Sequence, residues 1–178
     1  MKDISISALK ANLYAIPIIA ISIICLVVPF VLIWDWQTFT KGFLTIFLTL
    51  PYFIIAFVLG AFLHEVLHAL GFLIFGKLKL SQVKIGIIWK YITPYAHCKI
   101  PLKAFIYRIA LLLPAVLLGI VPSLTAIIIG KSWLLIYGIL FTVLAGGDLL
   151  VFWLIRKVKS KESVKDHPER CGCYIVNN

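Results

Sequence analysis

Four apolar blocks dominate the chain: about Leu13 to Trp34, Phe43 to Phe75, Phe105 to Ile129 and Trp133 to Ile155. A helix needs roughly 20 apolar residues to cross a ~30 Å hydrocarbon core, and each block is long enough, so the pattern predicts four transmembrane helices. As one helix the second block would run roughly 50 Å, and it must tilt, kink at Pro51 or protrude into water. Pro114 and Pro122 should bend the third helix, because each removes a backbone donor and crowds the preceding turn. The period changes in the second loop, residues 77–103, where Val83, Ile85 and Ile87 alternate with Lys84 and Gly86, followed by Ile88-Trp89-Lys90-Tyr91-Ile92 and Pro94. This predicts a short strand or hairpin at the membrane surface, either an interfacial anchor through Trp89, Tyr91 and Tyr95 or a strand that holds an extended peptide. The expected fold is an all-α membrane protein with that one strand or hairpin: a four-helix transmembrane domain over 1–156 and a basic tail over 157–178.

Composition removes the soluble alternatives. The chain is 62% hydrophobic, with a mean hydropathy of +1.07, against roughly 45–50% apolar residues in an ordinary soluble domain. The first apolar block is too long and too late for a cleaved signal peptide and is expected to stay as a membrane helix. A net charge of +10 would suit nucleic acid, but the cations lie between and after the apolar blocks instead of forming a solvated face, so no nucleic-acid partner is expected. Lys77, Lys79, Lys84, Lys90, Lys99 and Lys103 crowd the second loop, and Arg156, Lys157, Lys159, Lys161, Lys165 and Arg170 crowd the tail. The other loops carry only Lys41 and Lys131. By the positive-inside rule the N-terminus, the second loop and the C-terminal tail are cytoplasmic, which needs an even number of crossings. Cys98, Cys171 and Cys173 then lie in a reducing compartment, where a disulfide framework is not expected.

Chemistry concentrates at His64-Glu65-Val66-Leu67-His68 inside the second block. On a helix His64 and His68 share a face one turn apart, so both imidazoles can reach one metal ion with Glu65 beside them. Zinc would polarise a scissile carbonyl and acidify its water, and Glu65 would take the water's proton and pass it to the leaving amine. Three polar groups in five positions of an apolar helix cost too much to be a chance match, since each ionisable residue at membrane depth costs about 2.5–3.5 kcal/mol on insertion scales. Two histidines leave zinc short of its usual three protein ligands. Asp148, in Ala145-Gly146-Gly147-Asp148, is the only acid of the last apolar block and lies at a depth similar to the histidine pair, so it leads as the third ligand. The competing roles for Asp148 are an ion pair with Lys or Arg at a helix end and a cap on a helix break. Gly71 extends the motif, but Ile74 stands where some soluble proteases place a third histidine. His97 and His167 are candidates for alternative metal ligands, ligand support or substrate contact, each weighed against a plain surface histidine. A second metal site built from His97, Cys98, His167, Cys171 and Cys173 lacks any paired Cys-x-x-Cys spacing.

The His64-Glu65-x-x-His68-Ala69-Leu70-Gly71 segment, Ala96-His97-Cys98-Lys99 with Pro101-Leu102-Lys103, Gly147-Asp148 and Asp166-His167-Pro168 together resemble the zincin-type membrane peptidases of bacteria. That resemblance covers most of the chain and implies a bacterial cell-membrane location. A more distant similarity, confined to the metal-binding helices, is to the site-2 proteases, and it implies one Zn2+ per chain held by His64, His68 and Asp148 with Glu65 as catalytic base. The Leu-Asp-Gly and upstream Asn-Pro segments of site-2 proteases are absent, with Gly147-Asp148-Leu149 instead. The expected function is a membrane-embedded zinc metalloprotease whose partners are the lipid bilayer and a peptide or membrane-protein substrate. The rival is a non-enzymatic membrane protein that binds or transports metal, for which Glu65 would have no use. A diiron oxygenase is disfavoured by the count of four histidines.

Overall fold

The computed structural model describes residues 2–88, 93–167 and 170–176. The expected anchors Trp89 and Tyr91, their neighbours Lys90 and Ile92, and Pro168 lie outside the described residues. In chain order the elements are β1 (Lys2–Ile6), α1 (Ala8–Leu48), α2 (Leu50–Gly76), β2 (Val83–Ile88), β3 (Thr93–Cys98) and β4 (Leu102–Lys103). There follow α3 (Ala104–Pro114), a π-helical segment (Ala115–Ile120), α4 (Val121–Ile129), α5 (Ser132–Leu144), α6 (Gly146–Leu154), β5 (Ser163–Asp166) and β6 (Cys171–Val176). Three helical runs are long and apolar enough to cross a membrane: Leu9–Leu48, Leu50–Gly76 and Ala104–Ile129. Ser132–Leu144 and Gly146–Lys157 join at a 46° bend and make a fourth if the bent pair counts as one span.

Local chemistry explains the breaks. The second apolar block is not one helix, because the chain turns at Thr49 and restarts with Pro51 in the first turn of α2. Pro51 has no N–H to offer the Phe47 carbonyl, so the helical ladder ends there. Within α1, Asp35 adopts φ 68° and ψ 166° and interrupts the helix, and its Oδ1 accepts the Thr38 N–H at 2.7 Å, capping the segment that follows. Pro114 and Pro122 bracket the π-helical segment, and Pro114 leaves the Ala110 carbonyl without its usual partner four residues on.

Two small sheets lie beside the helices. β2 and β3 form an antiparallel hairpin in which Lys84 faces His97 and Gly86 faces Tyr95. Period-two alternation therefore sends Val83 and Cys98 into the core and Lys84, Tyr95 and His97 to the opposite face. The other sheet has the order β1-β6-β5-β4, all antiparallel. It gathers strands from both ends of the described chain, so residues 157–178, read from the sequence as a basic tail, contribute two strands.

Apolar packing divides into two main bodies. One joins α2, α3 and α6 to both sheets through Ala69, Phe72, Cys98, Ala110, Val151, Val164 and Cys173. The other joins α1, α4 and α5 through Leu26, Phe30, Ala126 and Leu135. Large apolar side chains such as Leu32, Phe47, Phe62 and Ile128 stay exposed on the outer helix faces, as a lipid-facing surface requires. Two features fix the helices nearest Asp148 and His68. Arg108 of α3 donates through Nη2 to the Ile155 carbonyl at 2.7 Å and to the Val158 carbonyl, tying down the end of α6. Gly71 lets α2 meet α3, because a Cβ there would sit 2.7 Å from the Ala110 Cα.

Candidate metal centre

α2 carries His64 and His68 on the face that meets α3 and α6, and both imidazoles are buried, at 4% and 7% exposure. Asp148 stands in the first turn of α6, just past the bend, and projects between them. Its Oδ2 lies 3.1 Å from His64 Nε2 and 3.4 Å from His68 Nε2, and the two Nε2 atoms are 3.2 Å apart. Neither competing role for Asp148 is what the geometry shows, since its carboxylate is directed at the two imidazoles.

The donor set fits zinc on two grounds. Ligand atoms bound tetrahedrally at 2.0–2.1 Å lie about 3.3 Å from one another, and the three observed separations bracket that spacing. The tautomer is also set. His68 Nδ1 is 2.9 Å from the Ala110 carbonyl, which can only accept, so Nδ1 carries the proton and Nε2 keeps a lone pair for a metal. Among the described residues His64, His68 and Asp148 form the only group of three or more His, Cys, Asp or Glu side chains that could hold a metal ion. Glu65 shares a cavity of about 350 Å³ with all three. Gly147 leaves that cavity open, because a Cβ there would touch nothing within 4 Å. Tyr95 and Ala96 of β3 line the same cavity as Glu65, so the strand runs beside the prospective base.

A second cavity, of about 530 Å³, meets the first at His68, Tyr95, Ala96 and Asp148. His97 stands in its wall, outside the metal cluster. Its Nδ1 lies 2.7 Å from Asp166 Oδ2, and the buried Tyr107 hydroxyl donates to the other carboxylate oxygen. The hydrogen bond to Asp166 pushes the His97 pKa above the ordinary histidine value, against burial and the nearby Lys165 and Lys84. His167 also lines this cavity. Its Nδ1 accepts the Arg170 backbone N–H at 2.9 Å, so its Nε2 carries the proton, 2.8 Å from the Tyr174 oxygen. Cys98 and Cys173 are buried in the core, and burial raises both thiols, Cys173 to about 12.

Three participants escaped the sequence reading. The Ala110 carbonyl was signalled by Pro114 four residues later. Tyr107 and the pairing role of Asp166 carried no such signal, because they meet only when β4 and β5 pair.

The sequence model of a family described as "putative zincin peptidase" matches residues 57–162. The match takes in His64, Glu65, His68, His97 and Asp148 and stops short of Asp166 and His167. No curated protein and no solved structure matches the chain.

Proposed function

The chain belongs to this family of zincin peptidases, and from that premise we propose that it is a membrane-embedded zinc metalloprotease, with one Zn2+ held by His64, His68 and Asp148. The observation that carries the reading is the convergence of two imidazole Nε2 atoms and a carboxylate oxygen in a cavity that also holds Glu65. Zinc, when bound, supplies the positive charge that polarises a carbonyl and makes water a nucleophile near neutral pH. The protein's own groups do the rest. Glu65 accepts a proton from the attacking water as its oxygen bonds to the carbonyl carbon, then delivers it to the nitrogen as the C–N bond breaks. His68 is held in its ligating tautomer by the Ala110 carbonyl. β3 pairs with β2 along one edge and runs beside Glu65 along the other, so an extended peptide laid against that edge would be carried past the base.

The proposal includes four crossings, the bent α5–α6 pair counting as one, with the N-terminus, the second loop (77–103) and the tail on the cytoplasmic side of a bacterial cell membrane. Substrates are then peptides inserted in, or lying against, the bilayer. Single-cysteine labelling from each side of the membrane tests this orientation. Position 165 should be reached from the cytoplasm and position 131 from outside, and the reverse pattern overturns the topology.

The decisive experiment on the reaction is Glu65→Gln, which keeps the shape of the side chain but cannot take the water's proton. It should retain zinc and lose about 10²–10⁴-fold in peptide hydrolysis. Wild-type turnover in that variant sinks the peptidase. Metal transport by the wild type that Glu65→Gln leaves intact would point to the non-enzymatic rival.

A further inference from the structure

The two cavities that meet at Asp148 are electrically unlike. The smaller is lined by Ala61, Leu144 and Gly147 besides the metal cluster and Glu65, and among the described residues no Lys or Arg lines it. The larger is walled by Lys84, His97, His167 and Arg170. Its acids are committed: Asp148 to the histidine pair, and Asp166 to Tyr107 on one oxygen and His97 on the other. Among the described residues nothing left in that wall neutralises Lys84, which lies across the hairpin from His97 with its ammonium 5.7 Å from the Tyr95 ring centre. Arg170 donates through Nη2 to the Ser5 carbonyl at 3.2 Å and makes a long 3.4 Å contact with Asp3, and the Arg170 and Asp3 side chains are exposed enough for a stronger partner to displace that contact.

We propose that this wall is a carboxylate-recognition subsite, in which His97, Lys84 and Arg170 take a peptide carboxylate on the side of the scissile bond that occupies the larger cavity. The inference rests on the peptidase reading and adds a substrate class: peptides that are apolar on one side of the cleaved bond and carry a carboxylate on the other. His97 is the fixed element. Asp166 holds its Nδ1, Tyr107 anchors Asp166 from α3, and the imidazole is thereby oriented before any ligand arrives. The raised His97 pKa favours its cationic form, although Lys165 and Lys84 oppose it. Lys84 and Arg170 add flexible charges at the rim, suited to adapting to the carboxylate's position.

The test uses the full chain carrying Glu65→Gln, zinc-loaded in nanodiscs, and two pairs of fluorescent peptides. One pair is an apolar peptide with an internal Glu and its Gln twin. The other has a free C-terminal carboxylate and its amide. The carboxylate member should bind roughly tenfold tighter in at least one pair, as a charge-assisted hydrogen bond implies. Whichever pair shows the difference identifies the ligand as a side-chain or a terminal carboxylate. That preference should shrink in His97→Gln and vanish or invert in Lys84→Glu combined with Arg170→Glu, at unchanged zinc content. Equal affinities within both pairs, or a preference that survives both variants, overturn the inference. Wild-type protein given the same peptides separates the two claims. A binding preference without cleavage leaves the subsite standing and sinks the peptidase, whereas cleavage without a preference does the reverse.

Discussion

Two histidine–aspartate arrangements stand within one pair of joined cavities, and they are built for opposite purposes. At the centre, His64 and His68 turn their Nε2 atoms to a single oxygen of Asp148. The His68 proton is drawn away to the Ala110 carbonyl, leaving the Nε2 lone pair to face the cluster. At the rim, His97 gives its Nδ1 proton directly to Asp166, and the carboxylate favours the cation. The imidazole that hydrogen-bonds a neutral carbonyl is set up as a metal ligand, and the one that hydrogen-bonds a carboxylate is set up as a charge. The partner of the non-reacting nitrogen sets the tautomer and tunes how readily the ring carries charge, and the neighbours of the other nitrogen do the rest.

The contrast can be broken most sharply by exchanging the acids. Asp148→Ala should lower zinc affinity by more than the roughly 10–100-fold typical of losing an outer partner, while Asp166→Ala, His97→Ala and His167→Ala should keep most of the metal. Zinc per protein in correctly inserted samples measures this. Full occupancy in Asp148→Ala, with loss in a histidine variant, would move the third ligand to the rim. A smaller effect is expected at Gly71, where an added Cβ would press on the Ala110 backbone at 2.7 Å. Gly71→Ala should part α2 from α3, stretch the bond from His68 to the Ala110 carbonyl and weaken zinc binding about 10–100-fold, as read by competition with a chelator. Wild-type affinity there would show that the carbonyl contributes nothing to the centre.

The smallest effect concerns pH. Because the His97 pKa is raised in the folded chain, its pairing with Asp166 stabilises fully below the unfolded value of about 6.5, and that stability is lost as pH rises through the folded value. The groups facing His97 are Asp166 and Lys165 from β5 and Lys84 from β2. Thermal unfolding in detergent should show a fall with rising pH that Asp166→Asn flattens. The difference will be slight, because the His97 side chain is 36% exposed and solvent screens the pair. Identical profiles for the two proteins would remove the rim pair as a charged contact.

How far these features could be read from the sequence depends on the range of the forces that make them. The His64–His68 spacing is a local helical property, and an acid in an apolar run announces itself by its cost, so Asp148 could be singled out without knowing where α6 packs. The hairpin was legible from the alternation at Val83, Ile85 and Ile87. Pro51 was legible as a site of kinking, but its effect was a full division of the apolar block. The bend that Pro114 would cause was expected; the carbonyl it frees acquires meaning only once Gly71 brings α2 alongside. The strands of the tail were hidden because Cys171-Gly172-Cys173-Tyr174-Ile175-Val176 is too short and irregular to signal a strand alone. Its order comes from pairing with β1 across almost the whole chain.

That pairing also orders the site in time. Synthesis proceeds from the N-terminus at about 5–20 residues per second, so His64, Glu65, His68 and Asp148 all exist before Asp166 and the strand that joins it to Lys2–Ile6. The metal cluster can therefore assemble while the wall of the larger cavity is still missing. His97 acquires its partner when β5, which carries Asp166, pairs with β4, and the rim is finished when residues 171–176 close against β1. The capacity to hold a metal thus precedes the capacity to select what approaches it.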